Sequence, residues 1–212
     1  MNYSTRDLNK TVKFIIIHYT GMKSFTDAYK KLSHLKSDVS CHYLISRQGK
    51  IYNLLCPKFK GWHAGVSEWK NVKNLNDYSI GIELENKGHD HGYTSFTNYQ
   101  YYELKKLIKF LSFNFYINNS DVLFHSDIAP NRKKDPGEKF FLQKLAIKRF
   151  KINQRKTASI NDLLKLYGFS NNYIKFYKSD CIKAVKRSLN YKNINSSISK
   201  KFINKFYNLL FE

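Results

Sequence analysis

The sequence predicts an α/β fold, a central mixed β-sheet flanked by helices, followed by a small C-terminal three-helix module. Three observations carry that prediction. Over the first 150 residues, short apolar runs of the buried-strand kind alternate with segments of helical periodicity. Eight of the nine glycines and all three prolines (Pro57, Pro130, Pro136) lie before residue 138, which concentrates turn chemistry there. Residues 151–212 carry 13 basic but only 3 acidic side chains, against 24 and 13 in residues 1–150, and read as helical. A boundary is expected near 151–157, giving domains at 1–150 and 151–212.

Taken in order, Phe14-Ile15-Ile16-Ile17 is a continuous apolar run, as a strand buried on both faces requires, and it ends on His18. Residues 26–35 have helical spacing, and 42–46 with 51–55 flank Gln48-Gly49 as a hairpin. In Ser79 to Glu85 the apolar Ile80, Ile82 and Leu84 alternate with Gly81, Glu83 and Glu85, so both carboxylates share the face opposite the apolar one. Gly81 is expected to leave open space beside Glu83. A helix over 98–116 follows, then a strand Val122-Leu123-Phe124 ending on His125. In the tail, Ser159 opens S-x-x-D before Ile160, Leu163, Leu164 and Tyr167, with Gly168 as the stop. Ser179 precedes Ile182, Val185 and Leu189, and Ser197 precedes Ile198, Phe202, Phe206 and Leu210, giving three short helices with one apolar face each.

Composition excludes several classes. With 42% apolar and 16% aromatic residues, the 212-residue chain can bury enough surface to fold. No apolar run approaches the ~18 to 20 residues of a membrane span, and MNYSTRDLNK lacks a signal-peptide core, so as written the chain is expected to be soluble and not exported. Three cysteines without a C-x-x-C pair imply neither a disulfide framework nor a thiolate zinc ribbon. The net charge of +21 invites a nucleic-acid reading, but the lysines are scattered and no zinc-finger, RNP or GXXG pattern accompanies them. No nucleic-acid partner is expected; acidic polymers, including carboxylate-bearing cell-wall glycans, fit the charge.

Two histidines occupy equivalent places, His18 after FIII and His125 after VLF, where strand ends of open sheets gather ligands and catalytic groups. Asp135 follows His125 by ten residues in a loop stiffened by Pro130, Pro136 and Gly137, which can turn it back towards His125. Two imidazoles and one carboxylate, with a fourth position open to water, have the composition of a catalytic zinc site, one Zn2+ per chain. Lys133, two residues before Asp135, is placed to support an oxyanion beside the metal.

The motifs IIIHYTG, VSCHYLI, GWHAG, LNDYSIGIELEN and HSDIAPNRKKDPG, in this order across residues 14–137, resemble the zinc-dependent N-acetylmuramoyl-L-alanine amidases of the amidase-2 type. That family is related to phage-lysozyme-type amidases and peptidoglycan recognition proteins. The wording is most similar to the periplasmic, outer-membrane-anchored branch acting on anhydro-muropeptides, and TASINDLLKLYGF followed by AVKRSLN resembles that branch's peptidoglycan-binding helical module. The resemblance implies that His18, His125 and Asp135 are metal ligands and that Glu83 and Lys133 are catalytic, with Glu85 the competing carboxylate. It places Tyr19, Trp62, His63, Asn86 and Arg132 at substrate-binding positions; His34, His42, His89 and His91 are read as non-catalytic. The implied reaction is hydrolysis of the amide between the lactyl group of N-acetylmuramic acid, including its 1,6-anhydro form, and L-alanine of the stem peptide. The implied partners are peptidoglycan and muropeptides. A peptidoglycan-recognition protein that binds without cutting is the main alternative, and a basic nucleic-acid binder a lesser one. The expected location is the periplasm, if an export segment has been removed from the start, or else the cytoplasm.

Overall fold

The computed structural model describes residues 2–7, 9–150 and 159–211. The boundary expected near 151–157 lies outside the described residues. A short strand β1 (Tyr3–Thr5) precedes β2 (Phe14–Tyr19), α1 (Phe25–Ser33), β3 (Tyr43–Ile45), β4 (Ile51–Asn53), β5 (Phe59–Gly61), β6 (Glu68–Trp69), β7 (Val72–Lys73) and β8 (Ser79–Leu84). Then follow α2 (Asn98–Phe115), β9 (Val122–Phe124), the one-turn α3 (His125–Ile128), and the tail helices α4 (Ile160–Tyr167), α5 (Asn171–Ser188) and α6 (Lys200–Phe211).

The main sheet has the order β4-β3-β8-β2-β9 and is mixed, because β3, β8, β2 and β9 pair in parallel while β4 joins β3 as an antiparallel edge. The apolar run of β2 is continuous because both of its faces are covered. Ile15 and Ile17 pack with Ile80, Ile82 and Leu84 of β8 against Leu104, Ile108 and Leu111 of α2. On the other face, Phe14 and Ile16 join Leu123 of β9 in one cluster with Leu163, Leu164 and Tyr167 of α4 and Phe202, Phe206 and Leu210 of α6. Each such fully buried side chain contributes about 1.5–3 kcal/mol. The tail helices thus share a core with the sheet.

Helix starts follow local capping chemistry. At α2 the Thr97 hydroxyl accepts from Gln100 N while the Gln100 side chain accepts from Thr97 N, closing a capping box. Ser159 caps α4 with Asp162 as its reciprocal partner, and Gly168 ends that helix with φ 135°, a backbone conformation that suits glycine. The other two tail caps differ from expectation. α5 begins at Asn171 under Ser170, which accepts from Tyr173 N, so Ser179 lies inside the helix. A kink at Tyr177 separates Tyr173 and Ile174 from Cys181, Ile182 and Val185, so the stripe read from the sequence covers only the second half. α6 starts later than expected: Ser199 Oγ accepts from Phe202 N, whereas Ser197 donates to Asn195 Oδ1 ahead of the helix. All three cysteines are free thiols. No helix among the described residues is long and apolar enough to cross a membrane.

Candidate active site

Sheet register assembles the site. On β2, Ile15 and Ile17 face α2, so Ile16 and His18 face the other way. On β8, Ile80, Ile82 and Leu84 likewise face α2, which puts Ser79, Gly81 and Glu83 on the opposite face. His18 stands beside Glu83 and Ile16 beside Gly81 in the β2/β8 ladder, while Ile16 pairs with Leu123 of β9, two residues before His125. The loop after α3 is drawn back by a hydrogen bond from Ser126 N to Asp135 O (3.0 Å), which returns the Asp135 carboxylate to His125.

His18 Nδ1, His125 Nδ1 and Asp135 Oδ2 converge at 2.9–3.0 Å from one another. All three residues are buried. His125 Nε2 lies 3.1 Å from Ala64 O. A carbonyl only accepts, so in the neutral ring the proton is on Nε2 and Nδ1 presents its lone pair to the other two groups. Burial, reinforced by His125, presses His18 down to about 4, keeping that ring neutral at ordinary pH. An anionic carboxylate packed against imidazole lone pairs suits a cation in their midst. The donor set, two nitrogens and one oxygen, suits zinc.

A cavity of about 410 Å³ opens onto this trio and is lined also by Tyr19, Met22, Glu83, Asp90, Arg132 and Lys133. Glu83 Oε2 is shut off from solvent without a hydrogen-bond partner among the described residues. Burial raises the Glu83 carboxyl to about 8, with Asp135 adding to the shift and Lys133 opposing it. Lys133 has no ion-pair partner among the described residues and reaches the same cavity. Glu85 is engaged elsewhere, since its Oε2 accepts from Arg47 N at 2.7 Å, outside the cavity.

The structure divides the remaining residues expected at the site. Tyr19 and Arg132 line the cavity, and Arg132 also staples the preceding loop through Ala64 O (2.8 Å) and Val66 O (3.1 Å). Trp62 donates from its indole to Ser4 Oγ, and Asn86 is buried with its amide on Thr94 O; neither borders the cavity. His63 also borders it, with its ring over Gly81 and against His18. The space beside Gly81 is therefore filled, contrary to expectation: a Cβ there would collide with the His63 ring at Cγ. His42 is buried, accepting from Gly81 N and donating to Phe59 O. His89 is tied to Tyr19 and Glu138.

Sequence reasoning missed the residues that hold this site. Asn76 Oδ1 accepts from both His63 N and Ala64 N, fixing the WHAG segment. Asp127, in the single turn of α3, accepts from Phe124 N, Arg149 and Tyr167, linking the His125 helix to the tail. The S-x-x-D pattern announced Asp162 as a cap residue, but no comparable local signal marks these long-range bonds.

Comparisons with known proteins identify relatives of the chain. The Amidase_2 family, described as N-acetylmuramoyl-L-alanine amidase, matches residues 8–138. The N-acetylmuramoyl-L-alanine amidase AmiD of Escherichia coli is 36% identical over 147 residues, which are 64% of this chain and 52% of AmiD. The 1,6-anhydro-N-acetylmuramyl-L-alanine amidase AmpD of Haemophilus influenzae is 38% identical over 103 residues, 48% of this chain and 54% of AmpD. The chain thus spans about half the length of the curated relatives it matches. Among solved structures, E. coli AmiD in complex with anhydro-N-acetylmuramic acid-L-Ala-D-gamma-Glu-L-Lys superposes with a TM-score of 0.78 at 27% identity, covering 96% of this chain and 91% of that one. AmpDh3 of Pseudomonas aeruginosa, in complex with anhydromuramic pentapeptide, gives 0.78 at 26% identity, covering 98% and 92%. The family match spans β2 to β9, the imidazole pair and the returning carboxylate, and the chain belongs to the Amidase_2 family.

Proposed function

We propose that the chain is a zinc-dependent N-acetylmuramoyl-L-alanine amidase that hydrolyses the amide between the lactyl group of N-acetylmuramic acid, including the 1,6-anhydro form, and L-alanine. The observation that carries this reading is the convergence of His18 Nδ1, His125 Nδ1 and Asp135 Oδ2 beside the unpartnered, buried Glu83 Oε2. His18, His125 and Asp135 would hold the ion, which when bound polarises a carbonyl and lowers the pKa of a water towards ~7. Glu83, whose buried Oε2 has no hydrogen-bond partner among the described residues, takes the proton of the attacking water and delivers it to the departing alanine amine. The Lys133 ammonium holds the oxyanion that develops on the former carbonyl. Tyr19 and Arg132 border the space the substrate occupies.

Support for anhydro-muropeptides as substrates comes from the relatives, whose complexes hold such compounds. The test is mass spectrometry of anhydro-muropeptides and of intact sacculi after incubation with the protein, alongside a chelator control and His125→Ala. Free peptide beginning at L-alanine, lost in both controls, is the expected result. Intact substrate with zinc bound would turn the assignment to a recognition protein, and the ratio of soluble to polymeric substrate cut separates recycling from wall turnover.

A further inference from the structure

Behind His18 runs a chain of hydrogen bonds whose direction is fixed at its far end. Ser79 Oγ is 2.6 Å from Leu75 O, which can only accept, so the hydroxyl proton is committed there. The same Oγ lies 3.3 Å from His63 Nε2 and, its proton being engaged, acts as acceptor; His63 therefore carries its proton on Nε2. A neutral imidazole has one N–H, so His63 Nδ1 is bare, and it faces His18 Nε2 at 3.0 Å. His18 must then donate from Nε2 and keep Nδ1 free. That free Nδ1 is the atom that meets His125 and Asp135.

We propose that His63, backed by Ser79, is a positioning residue that fixes the tautomer and ring orientation of His18 for metal binding. The inference rests on the metal-centre reading above. The packing permits little else: Ser79, His63 and His18 are 0%, 8% and 1% exposed. The His63 backbone is pinned by Asn76, and its ring fills the space over Gly81, edge-on to His18 with centroids 5.1 Å apart. The glycine in the strand is thereby explained, since any side chain at position 81 would displace the ring that orients the ligand. Reversing the chain would take the Ser79 hydroxyl from Leu75 O and place a proton on His18 Nδ1, between His125 Nδ1 and Asp135 Oδ2, where it blocks the metal. His125 is oriented more simply, by Ala64 O, so the two imidazoles reach one arrangement through different partners.

The test uses the full chain in two states. In the metal-free protein, long-range 1H–15N correlation of labelled histidines reads the tautomer of His18 directly. Nε2–H with unprotonated Nδ1 is expected in the unaltered protein, and loss of that single signature in His63→Phe. Zinc affinity, from competition with a chromophoric chelator, is expected to fall about 10–100-fold in His63→Phe, and to recover largely in His63→Gln, whose amide can accept from His18 and donate to Ser79. Ser79→Ala touches neither metal nor ligand and keeps the test open if His63→Phe does not fold; it should lower affinity in the same direction by a smaller factor. A merely structural role would lower stability in these variants without altering the tautomer or being rescued by glutamine. His18 protonated on Nδ1 in the metal-free protein, or unchanged zinc affinity in both His63→Phe and Ser79→Ala, would overturn the proposal. Absence of zinc binding by the unaltered protein would instead overturn the metal-centre reading, leaving the tautomer measurement to stand alone.

Discussion

Replacing Glu83 by glutamine in the metal-free protein tests whether burial has made this carboxyl an acceptor poised near neutral pH. Its pKa rises from 4.5 to about 8, chiefly through burial. The folded state therefore binds the proton more tightly than the unfolded state, and the neutral form's contribution is fully present below about pH 4.5 and lost as pH rises through 8. At 1.36 kcal/mol per unit, ionisation of Glu83 in the unfolded chain lowers stability by roughly 1 kcal/mol at pH ~5.5 and, net of ionisation in the folded state, by roughly 4–5 kcal/mol at pH ~8.5. Glutamine resembles the neutral acid and does not ionise. The stability difference between Glu83→Gln and the unaltered protein should therefore grow in favour of glutamine by up to about 3 kcal/mol between those pH values, less where cavity water screens the carboxylate. Urea unfolding with chelator present at both pH values measures it, because the other titrating groups cancel in the difference. Added zinc should shrink the effect, since a nearby cation favours the carboxylate. Parallel pH profiles for the two metal-free proteins would refute the reasoning.

Other substitutions probe the supports of the site. Gly81→Ala drives a Cβ into the His63 ring, so it should cost about 1–3 kcal/mol in denaturant titration and weaken zinc binding together. Tyr167→Phe removes the 2.7 Å bond to Asp127 and should cost roughly 1.5–3 kcal/mol. Because Trp69 packs on Tyr167, tryptophan fluorescence and far-UV circular dichroism should report that loss in one coincident transition. His42 is held by burial at about 4 against 6.5, so its stabilising effect is present above 6.5 and lost as pH falls towards 4. In metal-free protein the acid-side fall in stability should be shallower for His42→Gln, by up to about 1.4 kcal/mol per pH unit.

Much of the site was legible because its chemistry is written locally. The buried run of β2 announces a strand covered on both faces and delivers His18, and the alternation around Glu83 sets it opposite Ile80, Ile82 and Leu84. Prolines and a glycine between His125 and the residues just past Asp135 mark a returning loop, closed in the structure by Ser126 N on Asp135 O. What the sequence conceals depends on partners far along the chain. Gly81 reads as empty space until the loop bearing His63 folds over it. Ser79 resembles any strand-end serine, and its meaning comes from Leu75 O on one side and His63 on the other. The kink at Tyr177 hides the start of α5, because the stripe before it is out of step with the stripe after it. Asp127, Arg149 and Tyr167 sit in separate segments and declare themselves only as a buried cluster between α3 and the tail.

The central claim, that this trio holds zinc for an amide hydrolysis in which Glu83 moves the proton, is tested most directly by single-turnover product analysis of zinc-loaded protein and Glu83→Ala on an anhydro-muropeptide, with bound zinc quantified in both. The account predicts one zinc per chain in each, stem peptide released at L-alanine by the unaltered protein, and release slower by about 10²–10⁴-fold in the variant. Turnover by Glu83→Ala close to that of the unaltered protein, or no release by fully loaded unaltered protein, would contradict it.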